Sequence, residues 1–128
     1  MTRIVAALLA VVLGANGLFM LFAGPAWYDA VPGVTATGPF NPHFVRDIGA
    51  AYLVAAGGLA WFGWRPREGW PALVAAAAFL TLHAAIHVFD ATCGPTPLKD
   101  VLRDFVGVYL PALAALGLAL RKTAERSR

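Results

Sequence analysis

Charge is scarce in this 128-residue sequence: Asp, Glu, Lys and Arg together make 13%, against 59% hydrophobic residues and a mean hydropathy of +0.67. A soluble domain of this size needs a more polar surface, so that class is excluded and a membrane protein is expected. Cysteine occurs once, at Cys93, which rules out an intrachain disulfide and a paired-cysteine metal motif. An H-E-x-x-H motif, a nucleophile motif and a glycine-rich phosphate loop are also missing. The pI near 9.5 comes without a basic stripe interleaved with aromatics, so nucleic acid is not an expected partner.

What remains is apolar sequence divided by short polar stretches. The run from Ile4 to Ala23 has no charged residue, and about 20 residues at ~1.5 Å each match a hydrocarbon core of ~30 Å. It exceeds a signal-peptide core and no A-x-A site follows, so it reads as a span rather than a cleaved leader. Gly24 to Asn41 contains Pro25, Pro32 and Pro39 and is expected to be an irregular loop. Asn41 and Pro42 offer an N-cap and a first helical residue for a second span over about 42–63. Trp64 to Gly69 is a turn, and a third span covers about 71–90. Thr96 and Pro97 repeat the capping device for a fourth over about 97–120, which Pro111 should kink.

The expected fold is therefore all-α: one integral membrane domain over 1–128, a four-helix bundle running up-down-up-down. Arg3, Arg65, Arg67, Arg121, Lys122, Arg126 and Arg128 fall on one flank with Glu68 and Glu125. Arg46, Lys99 and Arg103 lie on the other with the aspartates. The richer cationic flank is expected in the cytoplasm, with both termini, and the bilayer is the cytoplasmic (inner) membrane of a bacterial cell. Trp27, Tyr28, Phe40 and Phe44 read first as an interfacial aromatic belt.

Polar residues recur at one depth. His83, His87 and Asp90 share a face of the third span at i, i+4, i+7, and His43, Arg46 and Asp47 share one at the start of the second. If the two helices are antiparallel neighbours, Asp47 is level with His87 and His43 lies just beyond Asp90. Asn16 and Asp104 reach a similar depth from the first and fourth spans. Ionisable groups in a bilayer are costly unless they pair or serve a function, so these eight residues form the candidate site.

Three chemistries fit this set. His83 and His87, completed by Asp90, His43 or Cys93, have the spacing for a transition-metal ion. A haem held by two histidines would need His43 opposite His83 or His87. Histidine oriented by aspartate could instead handle protons for an amphipathic molecule such as a quinone. The third reading is an accessory or scaffold subunit, whose polar network fixes helix register beside a partner or a second copy. The sequence does not decide whether the protein is an enzyme.

The stretch RDIGAAYLVAAGGLAW, Arg46 to Trp61, together with the length and four-span layout, resembles the small DoxX-like bacterial membrane proteins. The resemblance implies a membrane subunit associated with quinone-linked redox chemistry, and carries over only Arg46 and the small residues of that helix.

Overall fold

The computed structural model describes residues 1–126; Arg128, counted on the basic flank, lies outside them. The chain is all-helical, and the described residues contain no strand. Helix α1 spans Thr2–Phe22, α2 Gly24–Ala30, α3 Pro42–Trp64, α4 Trp70–Cys93, α5 Pro97–Asp104 and α6 Leu110–Arg126. A 3₁₀ turn at Val34–Thr37 precedes α3, and a π-helical turn at Phe105–Tyr109 joins α5 to α6.

Local chemistry accounts for most of these boundaries. Asn41 Oδ1 accepts hydrogen bonds from the backbone N–H groups of His43 and Phe44, both at 3.1 Å, and Pro42 occupies a position whose N–H would have no helical partner. Thr96 departs from the expected cap: its hydroxyl donates to Asp100 Oδ2 at 3.1 Å and leaves the backbone uncapped. The proline-rich segment is also less irregular than expected. Pro25 sits in the first turn of α2, where proline is tolerated, so seven residues there are helical.

The irregularity expected from Pro111 takes the form of a π-helical turn, Phe105–Tyr109, just before it. Pro111 cannot donate to Gly107, and the Leu110 N–H reaches back to the Phe105 carbonyl, widening the helix so that its ladder is disturbed over one turn only.

Three helical stretches, Thr2–Phe22, Trp70–Cys93 and Pro97–Glu125, are long and apolar enough to cross a membrane. Helix α3 is equally long yet falls outside that set, because Arg46 and Asp47 occupy its first turns and its uncharged part begins only at Ile48.

Helix α1 packs along α3, α3 against α4, α4 against α5 and α6, and α6 back against α1. Small residues make the α1–α3 contact close: a Cβ at Gly17 would lie 2.8 Å from the Gly49 carbonyl oxygen, and one at Gly49 would lie 2.9 Å from Met20 Cβ. Such approach lets dispersion act between backbones. Met20, Leu59, Phe62 and Leu73 are fully enclosed in the resulting core. At one end Arg3 donates to the carbonyls of Gly63 and Trp64, at 2.8 and 2.9 Å, so the start of α1 satisfies acceptors that the end of α3 leaves open.

Candidate functional site

The polar groups converge on the contact between α4 and α5. Because α4 carries His83 and His87 four residues apart, their rings project from one face, with centroids 4.8 Å apart and planes inclined by 63°. His87 Nδ1 lies 2.7 Å from Asp104 Oδ2. Asp104 is the buried member, at 8% exposure. Arg103 closes the other side of its carboxylate in a fork, with Nε 2.7 Å from Oδ1 and Nη2 3.0 Å from Oδ2. The same guanidinium reaches Asp100 Oδ1 through Nη1 at 2.8 Å.

A buried carboxylate is tolerable only when its lone pairs are satisfied, and Asp104 accepts on both oxygens. The fixed charges are two carboxylates and one guanidinium, so a protonated His87 would bring the cluster to neutrality. Arg103 is itself covered from outside: a Cβ at Gly33 would stand 2.5 Å from its Nε, and Gly33 has φ +87°. Glycine therefore serves twice there, adopting the left-handed turn and making room for the guanidinium.

His83 is different. It packs against Tyr52 of α3, with centroids at 5.7 Å, and stacks on Phe79 at 6.0 Å with planes inclined by 23°. No side-chain hydrogen bond is made by its ring among the described residues, although its neighbour His87 is fixed by Asp104. The result is an imidazole with free nitrogens beside an anchored one, flanked by aromatic walls.

The other candidates lie apart from this centre. His43 and Asp47 pair with each other at 3.2 Å and are exposed at 88% and 63%, so Asp47 does not meet His87. Arg46 and Asp90 are exposed and join no ion pair among the described residues. Asn16 accepts from Trp27 Nε1 at 2.9 Å and donates toward Met20 Sδ at 3.6 Å, tying α1 to α2. Trp27 is thus held by a specific bond as well as suited to an interface. Tyr28 meets the Phe40 ring edge-on at 5.5 Å.

The expected metal set of His83, His87, Asp90 and His43 is not brought together. Among the described residues no three His, Cys, Asp or Glu side chains are grouped to hold a metal ion. Asp90 shares the helix face with His83 at i, i+7, but it stays exposed, and α5 offers Asp104 to His87 instead.

Arg103, Asp100 and Tyr52 were not among the expected site residues. The i, i+3 spacing of Asp100 and Arg103 carried a usable signal for that ion pair, whereas the contact of Arg103 with its neighbour Asp104 follows no helical spacing rule. Tyr52 carried none beyond being a polar-tipped aromatic within an alanine-rich helix.

No family model, curated protein or solved structure matches this chain.

Proposed function

We propose that the chain is a four-pass membrane protein whose His83–His87–Asp104 centre binds a small amphipathic molecule with a polar carbonyl or hydroxyl head, such as a quinone. The observation that carries this is the unpaired His83 imidazole beside an anchored His87. His83 would hydrogen-bond the ligand head, Tyr52 and Phe79 would cover its ring, and His87, oriented by Asp104, would exchange protons with the site. The poor convergence of Asp90 and His43 with the histidines favours this over a metal centre.

Helices α1, α3 and α4 and the continuous run from α5 to α6 would be the four spans, arranged as an up-down-up-down bundle. With Arg3, Arg65, Arg67, Arg121 and Lys122 on the cytoplasmic side of the inner membrane, the histidine centre lies toward the outer face. Membership of the DoxX-like proteins is part of the same proposal and agrees with a quinone-like ligand. The alternative is an accessory subunit in which Arg103, Asp104 and His87 only clamp α5 to α4; full pairing of the Asp104 carboxylate favours that reading.

Solvent extraction of protein purified in mild detergent separates the two. A quinone-class lipid present near one per protein, and lost in His83→Ala, supports binding. A lipid content unaffected by His83→Ala leaves the clamp as the function of the cluster.

A further inference from the structure

The seam between α4 and the run from α5 to α6 holds a groove of about 430 Å³, which opens outward between the exposed side chains of Val88, Phe105 and Leu113. Ala84 also lines it, and the lining is apolar in residue type except for Thr81 of α4 and Tyr109 at the end of the π-helical turn. The hydroxyls of these two are buried, and neither has a hydrogen-bond partner among the described residues. Tyr109 as a whole is only 9% exposed.

The two residues stand level with each other. The His87–Asp104 contact sets the register of the facing helices; Thr81 is six residues from His87 and Tyr109 five from Asp104, so at ~1.5 Å per residue both lie about 7–9 Å further into the bundle than that pair. Thr81 is eleven residues from Trp70 and twelve from Cys93, the two ends of α4, and Tyr109 is close to the middle of the apolar stretch Pro97–Glu125. Two orphan hydroxyls therefore sit on opposite walls of one groove, near the midplane of any bilayer that these helices cross.

An unsatisfied hydroxyl at that depth is costly, because hydrocarbon offers it no partner. Depth and chemistry narrow what can supply one. The ester carbonyls of a phospholipid stay at the interface, ~15 Å from the midplane of a ~30 Å core. A buried water is typically held by about three polar groups, and this groove has two. A carbonyl oxygen accepts from two donors, and the apolar body behind it suits the remaining walls. Helical threonine has two accessible χ1 rotamers, so the Thr81 hydroxyl can turn toward such a head, and the Tyr109 O–H rotates to suit its acceptor. We propose that the groove binds a neutral, membrane-soluble molecule carrying a carbonyl group, with Thr81 and Tyr109 as its two donors and Val88, Phe105 and Leu113 against its apolar body. This site is separate from the histidine centre and does not depend on it, since His83 packs against Tyr52 of α3.

The test is photolabelling of the protein in lipid nanodiscs with para-decyl benzophenone, a neutral ketone, with the attachment site read by peptide mass spectrometry. Attachment should fall on the groove residues of α4 and α6, at least fivefold above that at Val11 and Val12 on the exposed face of α1. An excess of a long-chain methyl ketone should suppress it at least fivefold, whereas the alkane of the same length should not. Thr81→Val combined with Tyr109→Phe keeps the shape of the groove and should also lower labelling at least fivefold, with thermal unfolding as the check on folding. The competition in wild type decides the matter even for a variant that folds poorly. Labelling of α1 equal to that of the groove, attachment confined to α3, or equal competition by the alkane overturns the proposal. So does labelling indifferent to the double variant.

Discussion

The Nδ1 atom of His87 lies 2.7 Å from Oδ2 of Asp104, joining two helices through a carboxylate that Arg103 already grips from its own helix. Asp104 is buried and His87 is about one-third exposed, so the two residues should respond unequally to removal. Asp104→Ala leaves Arg103 with Asp100 alone and His87 with no acceptor. It should lower stability by about 3 kcal/mol, in the range for breaking one side of a buried ion pair. His87→Ala should cost only about 1–2 kcal/mol, because Arg103 still satisfies the carboxylate. Thermal unfolding in detergent checks the order; equal effects would mean that burial does not govern this pair.

Gly33 should be as sensitive as a core residue although it lies in a surface segment. Gly33→Ala must force a Cβ into the Arg103 guanidinium and hold a left-handed φ of +87°. Backbone strain alone is worth about 1–2 kcal/mol, and displacement of Arg103 adds to it. Gly38, with φ +132° and open space around its Cβ position, should lose only the strain contribution on substitution by alanine. Repeating Gly33→Ala in an Arg103→Ala background, where only the strain remains, isolates by thermal unfolding the part due to Arg103.

Glycines inside the long helices should divide into two groups. Gly17→Ala brings a Cβ to 2.8 Å from the Gly49 carbonyl oxygen, a backbone atom that cannot rotate away, and should destabilise by about 1–3 kcal/mol through overpacking. At Gly117 the same change meets open space and should be neutral or stabilise by up to about 1 kcal/mol, the helix-propensity difference. Denaturant unfolding in one detergent reads both.

Much of the helical layout was legible from the sequence, because charge scarcity and long apolar stretches are large signals. Asn41 with Pro42 marked the start of α3 correctly, since side-chain capping is a local event. The segment after Pro25 was misread: proline at a first turn permits a helix, and only packing of Trp27 against Asn16 reveals that one forms. The cluster was half legible. His83 and His87 stood out by their spacing on one helix, and Asp104 by its depth. The partner of His87 was not decided, because either α3 or α5 could supply a carboxylate at that level. Packing of α5 against α4 brings Asp104 within 2.7 Å of His87, and Asp47 pairs outward with His43 instead. Such choices depend on helix rotation, which a periodic pattern of alanine and glycine does not fix.

Trp27→Phe should preserve the aromatic packing of α2 but remove the donor to Asn16 Oδ1. A loss of about 1 kcal/mol is expected for one partly buried hydrogen bond. Trp27→Ala should cost more, because the ring also packs against the core. If both variants melt together, the hydrogen bond rather than the ring supplies the anchoring.

The most direct test of the ligand-site account is titration of a decyl-substituted benzoquinone into detergent-purified wild type and His83→Ala, read by binding calorimetry with thermal unfolding as the control for folding. Saturable binding near one site per chain, weakened at least tenfold in His83→Ala while the melting temperature changes little, is the predicted result. Absence of saturable binding to wild type, or equal affinity in a folded His83→Ala variant, would contradict it.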